Sequence, residues 1–212
     1  LLACDLTGTA GDVASTSGSS IDADTTILQF LGFNMNRKLF QDSAMRLAIS
    51  MAVDRNAIVS AYLMGHGTAT QFPIHPASGL YPASLERSDT ADDCAAMAAL
   101  NMADGEDVYD LTLLVNRENS FKVAAAEGIA QLLSQYDLNV TVNALPWEEY
   151  LAALEDGRFD LYYGECKLTA DWDVSSLLST GGSLNYGGWA DPATDTQLAA
   201  CRSADDSHRA AT

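Results

Sequence analysis

Between Leu154 and Asp195 the chain reads LEDGRFDLYYGECKLTADWDVSSLLSTGGSLNYGGWADPATD, and most of its side chains suited to chemistry fall in that stretch. It offers carboxylates at Asp171 and Asp173, aromatic faces at Trp172, Tyr186 and Trp189, an amide at Asn185, and an ammonium at Lys167. Carboxylates hold cationic groups through charge-assisted hydrogen bonds, an amide can bond a ligand backbone, and indole or phenol rings stack. No nucleophile–base pair accompanies them. Ser60, Ser179 and Ser183 lie in no GxSxG elbow and have no histidine at a suggestive spacing. Lys167, Asp171, Trp172, Asp173, Asn185 and Tyr186 are therefore read as ligand-binding, and no catalytic residue is assigned. Each also has a plainer reading. Acids two apart in a loop serve as turn and capping groups, a tryptophan beside glycines can lid a core, and Asn185 can sit in a left-handed turn. An enzymatic alternative would use Asp171 and Asp173 with a metal. His66 and His75 suit nickel chemically, but they stand nine residues apart in a Gly/Pro loop without a nearby third ligand. No metal ligand and no cofactor is assigned.

Composition narrows the partners. A chain of 212 residues, 48% hydrophobic and 19% charged, has enough apolar material for a substantial core. With 29 acids against 11 Lys and Arg the net charge is −18, a field that repels phosphate backbones, so no nucleic-acid partner is expected. An acidic surface also serves solubility. No run of about 18 apolar residues is present to span a membrane as a helix. Cys4, Cys94, Cys166 and Cys201 show no CxxC and no metal-like spacing, and their disulfide state is open. Leu1-Leu2-Ala3-Cys4 looks like the end of a lipoprotein signal, although the regions that precede such a cysteine are absent.

The elements that must position these groups follow from periodicity. Residues 8–24 are Gly, Ser, Thr and Asp rich and read as a connector. Thr26 to Phe33 reads as a strand, apolar on both faces and central. Asp42 caps a helix with Met45, Ala48, Ile49, Ala52 and Val53 at helical spacing. Asp54 starts a second helix through Ile58, Ala61 and Tyr62, ending at Gly65. His66 to Pro82 is an irregular crossing, and Thr90-x-x-Asp93 resembles a capping box before a helix over Cys94 to Met102. Leu111 to Val115, a helix capped by Ser120, and the alternating strand Leu138 to Ala144 form a βαβ unit, expected parallel and right-handed, with the alternating strand near the sheet edge. Pro146 opens a helix with Trp147, Tyr150, Leu151 and Leu154 on one face, ending at Gly157. Phe159 to Tyr163 is the last strand, and Asp191-Pro192 starts a final helix. The fold class is α/β, a mixed, mostly parallel sheet flanked by helices. In such sheets ligands meet the loops at the carboxyl ends of strands, which is where the stretch after Tyr163 begins.

Three motifs bear a family likeness. Phe33-Asn34-Met35-Asn36, then Phe40-Gln41-Asp42 and Met45-Arg46-Leu47-Ala48-Ile49-Ser50-Met51-Ala52-Val53-Asp54-Arg55, resemble a segment of the family 5 extracellular solute-binding proteins. These are the oligopeptide, dipeptide and nickel receptors of bacterial ABC transporters. Trp147-x-x-Tyr150-Leu151 with Gly157-Arg158-Phe159-Asp160 is similar to a second family run. Asp171, Asn185 and Ala190-Asp191-Pro192-x-x-Asp195 match a third. Together they cover Ile27 to about Asp206.

The resemblance implies one lobe of a two-lobed, periplasmic-binding-protein-like (type II) fold that closes on ligand. Residues 1–25 would connect from a first lobe, and 26–212 would be the second lobe, cut from a longer protein. It further implies capture of a peptide or similar small solute, delivery to a membrane ABC permease, a monomeric receptor, and a secreted, extracytoplasmic location with a lipid anchor in the full-length protein. Asp171 matches the acidic residue that pairs with a peptide α-ammonium in peptide-binding members. The chain departs from the family pattern at Glu165-Cys166-Lys167, where peptide receptors often carry a Trp, and its segment after Asp171 is shorter than in oligopeptide receptors. A nickel or other small-solute receptor of the same fold is the alternative.

Overall fold

A computed structural model describes residues 25–63, 65–87, 109–136 and 138–204. The expected connector and the expected helix at Cys94 to Met102 lie outside the described residues, as do Cys4 and Cys94. Four strands, β1 (Ile27–Phe33), β2 (Tyr109–Asn116), β3 (Leu138–Leu145) and β4 (Leu161–Lys167), form one sheet in the order β1-β4-β2-β3. β2 runs parallel to both β3 and β4, while β1 is antiparallel to β4. The helices are α1 (Lys38–Gln41), α2 (Ser43–Ala52), α3 (Arg55–Tyr62), α4 (Ser120–Leu133), α5 (Trp147–Glu155), α6 (Ser175–Leu178) and α7 (Pro192–Ser203).

Period-two alternation splits the core into two layers. Leu111, Leu113 and Val115 of β2, with Leu161 and Tyr163 of β4, face a cluster built from Met45 and Ile49 of α2 and Ala126, Ile129 and Leu133 of α4. Leu114 and Tyr162 point the other way, onto Tyr150, Ala153 and Leu154 of α5 and onto Phe159. The strand over 138–145 alternates as expected and takes the edge position, with Leu138 buried and Asn139 exposed.

Several boundaries differ from expectation. β1 is not central: among the described residues it pairs with β4 alone. Its two-faced apolarity has another cause, since Leu31 and Phe33 pack on the first cluster and Phe30 on the second. β4 begins two residues later than expected and runs on to Lys167, because antiparallel pairing with β1 carries the ladder from Leu161↔Phe33 to Lys167↔Ile27. The cap of α4 is Asn119, whose side chain accepts from the Lys122 amide, rather than Ser120. The short helices α1 and α6 were not anticipated. Asp42 and Asp54 cap α2 and α3 as expected, each accepting from a first-turn amide. Gly157, at φ +66°, ends α5 in a Schellman arrangement: its amide donates to Leu154 O, and that of Arg158 to Ala153 O.

Candidate functional site at the carboxyl edge of the sheet

Parallel pairing places the carboxyl ends of β2, β3 and β4 on one rim, together with the start of β1. Three connections leave there. After β2, the Arg117 amide donates to Leu145 O at 2.8 Å, and α4 begins with its amides facing the rim. After β3, Trp147 opens α5; it is 48% exposed and stacks on Tyr150 at 5.8 Å, while its amide donates to a Glu118 carboxylate oxygen at 3.3 Å. After β4, the Leu168 amide donates to Thr26 O and the Thr26 hydroxyl donates to Leu168 O, which tie the outgoing chain to the start of β1.

Asp171, Trp172 and Asp173 follow directly. Asp171 is exposed. The Trp172 amide donates to Thr169 O at 3.0 Å, and the Asp173 amide donates to the Thr169 hydroxyl at 3.3 Å, closing a tight turn. Trp172 has φ +60°, and its ring stacks on His75, centroids 6.4 Å apart and planes 23° apart. Asp173 accepts from the Ser175 amide at 2.9 Å and from the Ser175 hydroxyl, so its carboxylate organises the entry to α6. Lys167 closes β4 and is exposed. Nearby, Glu165 takes an ion pair from Lys122 at 3.1 Å and a hydrogen bond from Gln29 at 2.9 Å.

Asn185 and Tyr186 do not join this group. Gly187 O accepts from the Met35 amide at 2.8 Å, just beyond the far end of β1. The segment after Leu168 therefore runs the length of β1, roughly 20 Å from Ile27 to Phe33. Tyr186 meets Tyr162 edge-on at 6.4 Å within the second core cluster. The Asn185 amide group donates to Ser179 O (2.9 Å) and Trp189 O (2.7 Å), and its oxygen accepts from the Trp189 amide (2.9 Å). Both of its N–H donors and one of its two acceptor positions are taken by the loop's own backbone. Trp189 lies under the Arg46 guanidinium, 5.6 Å from its ring centroid.

At that opposite rim the recognisable motifs meet. Asn34, 4% exposed, donates to Gly157 O (3.2 Å) and Phe159 O (2.8 Å) and accepts from the Asn36 amide (3.0 Å). Asp160 accepts from the Thr112 amide at 2.8 Å and pairs with Arg37 at 2.6 Å. Arg46 donates to Phe40 O, and Arg55 donates to Ser50 O and the Ser50 hydroxyl. These residues join β1, the turn before β4 and α2 into one scaffold. An open cavity of about 350 Å³ lies beside it, lined by Arg37, Phe40, Tyr109, Asp110 and Asp160 among others.

Titratable groups in the core serve structure. Burial pushes the Tyr162 phenol up to about 12, and burial also raises Tyr150 and Tyr163. All three therefore stay neutral at ordinary pH, and the Tyr150 hydroxyl donates to Tyr163 O at 2.9 Å. Burial, then the neighbouring Glu165, raises the Cys166 thiol; Cys166 and Cys201 are both free thiols. Among the described residues no three His, Cys, Asp or Glu side chains converge on a metal-sized site. His75 as the partner of Trp172, and Arg117, Glu118 and Trp147 on the rim, were not selected from sequence. Helical spacing puts Trp147 on the apolar face of its helix, and its place right after the end of a strand is the signal for a rim position.

The model of the family described as "Bacterial extracellular solute-binding proteins, family 5 Middle" matches residues 7–187. The oligopeptide-binding protein AppA of Bacillus subtilis is 24% identical over 144 residues, 62% of this chain and 26% of that protein. The glutathione-binding protein GsiB of Salmonella typhi is 23% identical over 212 residues, 92% of this chain and 40% of its own. The chain thus spans well under half the length of these relatives. Among solved structures, B. subtilis AppA in complex with a nonapeptide superimposes with a TM-score of 0.77 at 21% identity, covering 88% of this chain and 40% of that one. DppA from Helicobacter pylori in complex with the peptide STSA gives 0.77 at 19%, covering 88% and 38%. That family is one of solute-binding proteins, not of enzymes, and the chain belongs to the bacterial extracellular solute-binding proteins, family 5.

Proposed function

We propose that this chain is the ligand-capturing second lobe of an ABC-transporter substrate-binding protein that takes peptides. The observation that carries this reading is Asp171, exposed on the loop leaving the carboxyl end of β4, on the rim where open α/β sheets receive ligands. A carboxylate there supplies the counter-charge that a peptide α-ammonium needs on leaving water, a charge-assisted bond of about 1.5–3 kcal/mol. Relatives named for binding an oligopeptide and glutathione support a peptide, while a neighbour of the same fold, NikZ from Campylobacter jejuni, is in complex with Ni(L-His) and keeps a metal chelate as the alternative. Trp172, Asp173 and Lys167 share the rim, whereas Asn185 and Tyr186 act through the scaffold that carries it.

Capture works by hinge closure against a first lobe, with ligand binding shifting an open–closed equilibrium. The full receptor is a monomer outside the cytoplasmic membrane, in the periplasm or lipid-anchored at the cell surface, and hands its solute to a permease. Mass spectrometry of small molecules that co-purify with the two-lobed protein should find peptides. D171N should strip them away. Recovery of metal chelates in place of peptides, or peptide retention by D171N, overturns the reading.

A further inference from the structure

Among the described residues Trp172 is the one non-glycine with positive φ, at +60°. Side chains other than Asn and Asp rarely adopt that conformation, and a strained residue persists only where its surroundings over-determine it. Here the surroundings do. The amides of Trp172 and Asp173 both bond Thr169, and the Asp173 carboxylate holds the Ser175 amide and hydroxyl. A third restraint comes from far along the chain: His75, in the irregular crossing between α3 and β2, stacks offset from the indole, planes 23° apart. The His75 ring is itself oriented, because its Nδ1 accepts from the Ala77 amide at 3.1 Å, between Pro76 and the next turn. Core packing does not account for the arrangement, since Trp172 belongs to neither core cluster and remains partly exposed at the rim.

We propose that the Trp172–His75 stack is a preformed apolar shelf beside Asp171, with His75 as its positioning residue, and that it selects solutes whose cationic amino group carries a bulky apolar or aromatic substituent. This inference rests on the peptide reading of the site and adds a preference for the first side chain. The logic is geometric. Backbone strain at Trp172 fixes where the indole leaves the loop, and the imidazole fixes its plane. An ammonium held at Asp171 then brings its α-substituent against a surface already ordered, so little rotamer entropy is lost on contact.

The test uses the two-lobed protein and two sets of synthetic peptides, graded in length and identical except for Phe or Gly at the first position. Calorimetry should show the wild type favouring the Phe set by about tenfold. W172G tolerates the positive φ but removes the shelf, and H75A removes its support. Both should bring the two sets to near-equal affinity, with the larger loss falling on the Phe set. H75F keeps a flat ring and should restore the preference. The shelf is refuted if the preference is absent in wild type, survives W172G, or if H75A weakens both sets equally. If wild type binds neither set at any length, the peptide reading itself falls and the shelf falls with it.

Discussion

Replacing Asn34 by alanine tests whether the family's signature residues are scaffold or ligand contacts. The Asn34 amide makes three hydrogen bonds, all to backbone: Gly157 O, Phe159 O and the Asn36 amide. At 4% exposure, little water can replace it. Each lost bond nets about 1 kcal/mol, and a buried group left unsatisfied costs about 1–3 kcal/mol. The bond to Phe159 O is buried and short (2.8 Å), while the other two are partly accessible. Weighting them accordingly, N34A should destabilise the chain by about 3 kcal/mol. With a urea m-value of about 2 kcal/mol/M, the midpoint followed by far-UV circular dichroism should fall by roughly 1.5 M at unchanged m. N34D is the sharper variant. It keeps the acceptor for Asn36 but turns a carboxylate oxygen toward two carbonyls, so it should be at least as destabilising as N34A despite its closer shape. If N34D proves more stable than N34A, or N34A costs less than about 1 kcal/mol, the claim that this amide ties β1 to the turn before β4 is wrong.

Three further outcomes follow from the same reasoning. A Cβ on Gly187 would lie 2.3 Å from Phe33 O, a backbone atom held in the sheet, so G187A should cost about 2 kcal/mol or more, whereas G79A, with open space around it, should stay within about 0.5 kcal/mol; chemical denaturation compares them. The Thr194 hydroxyl and then the Thr194 and Ala193 amides hold the Asp191 carboxyl below the ordinary carboxylate range. Its contribution to α7 is therefore complete above the unfolded value of about 4 and is lost as pH falls through the lower folded one, so NMR should show the first turn of α7 loosening at acid pH in wild type but not in D191N, which keeps a neutral cap. The present chain alone carries half of the proposed contacts, and losing about 4–6 kcal/mol should weaken peptide binding by roughly a thousandfold or more relative to the two-lobed protein; nanomolar binding by the isolated chain would refute the half-site.

Local chemistry was legible where one stretch of chain decides the outcome. Asp42, Asp54 and Asp191 are capping residues whose bonds lie within three residues. The alternation of Leu138, Val140 and Val142 announced a strand with one wet face, and the βαβ unit required parallel pairing. The family likeness, too, was written in short motifs. What those motifs do was not, because their partners are remote: Asn34 meets Phe159, and Asp160 meets Thr112, only once the sheet has formed. The same holds for the site. Asp171, Asn185 and Tyr186 are close in sequence and each has a side chain suited to a ligand, yet the segment carrying them runs along β1 and delivers them toward opposite rims. His75 and Trp172 are far apart in sequence and end ring against ring. Period and capping are properties of neighbours along the chain, so sequence alone determined the longer elements and the fold class, though not the short helices α1 and α6 or the extent of β4. Which side chains share a rim depends on strand order and on where a loop is tied down, and those are set by long-range pairing that only the tertiary structure decided.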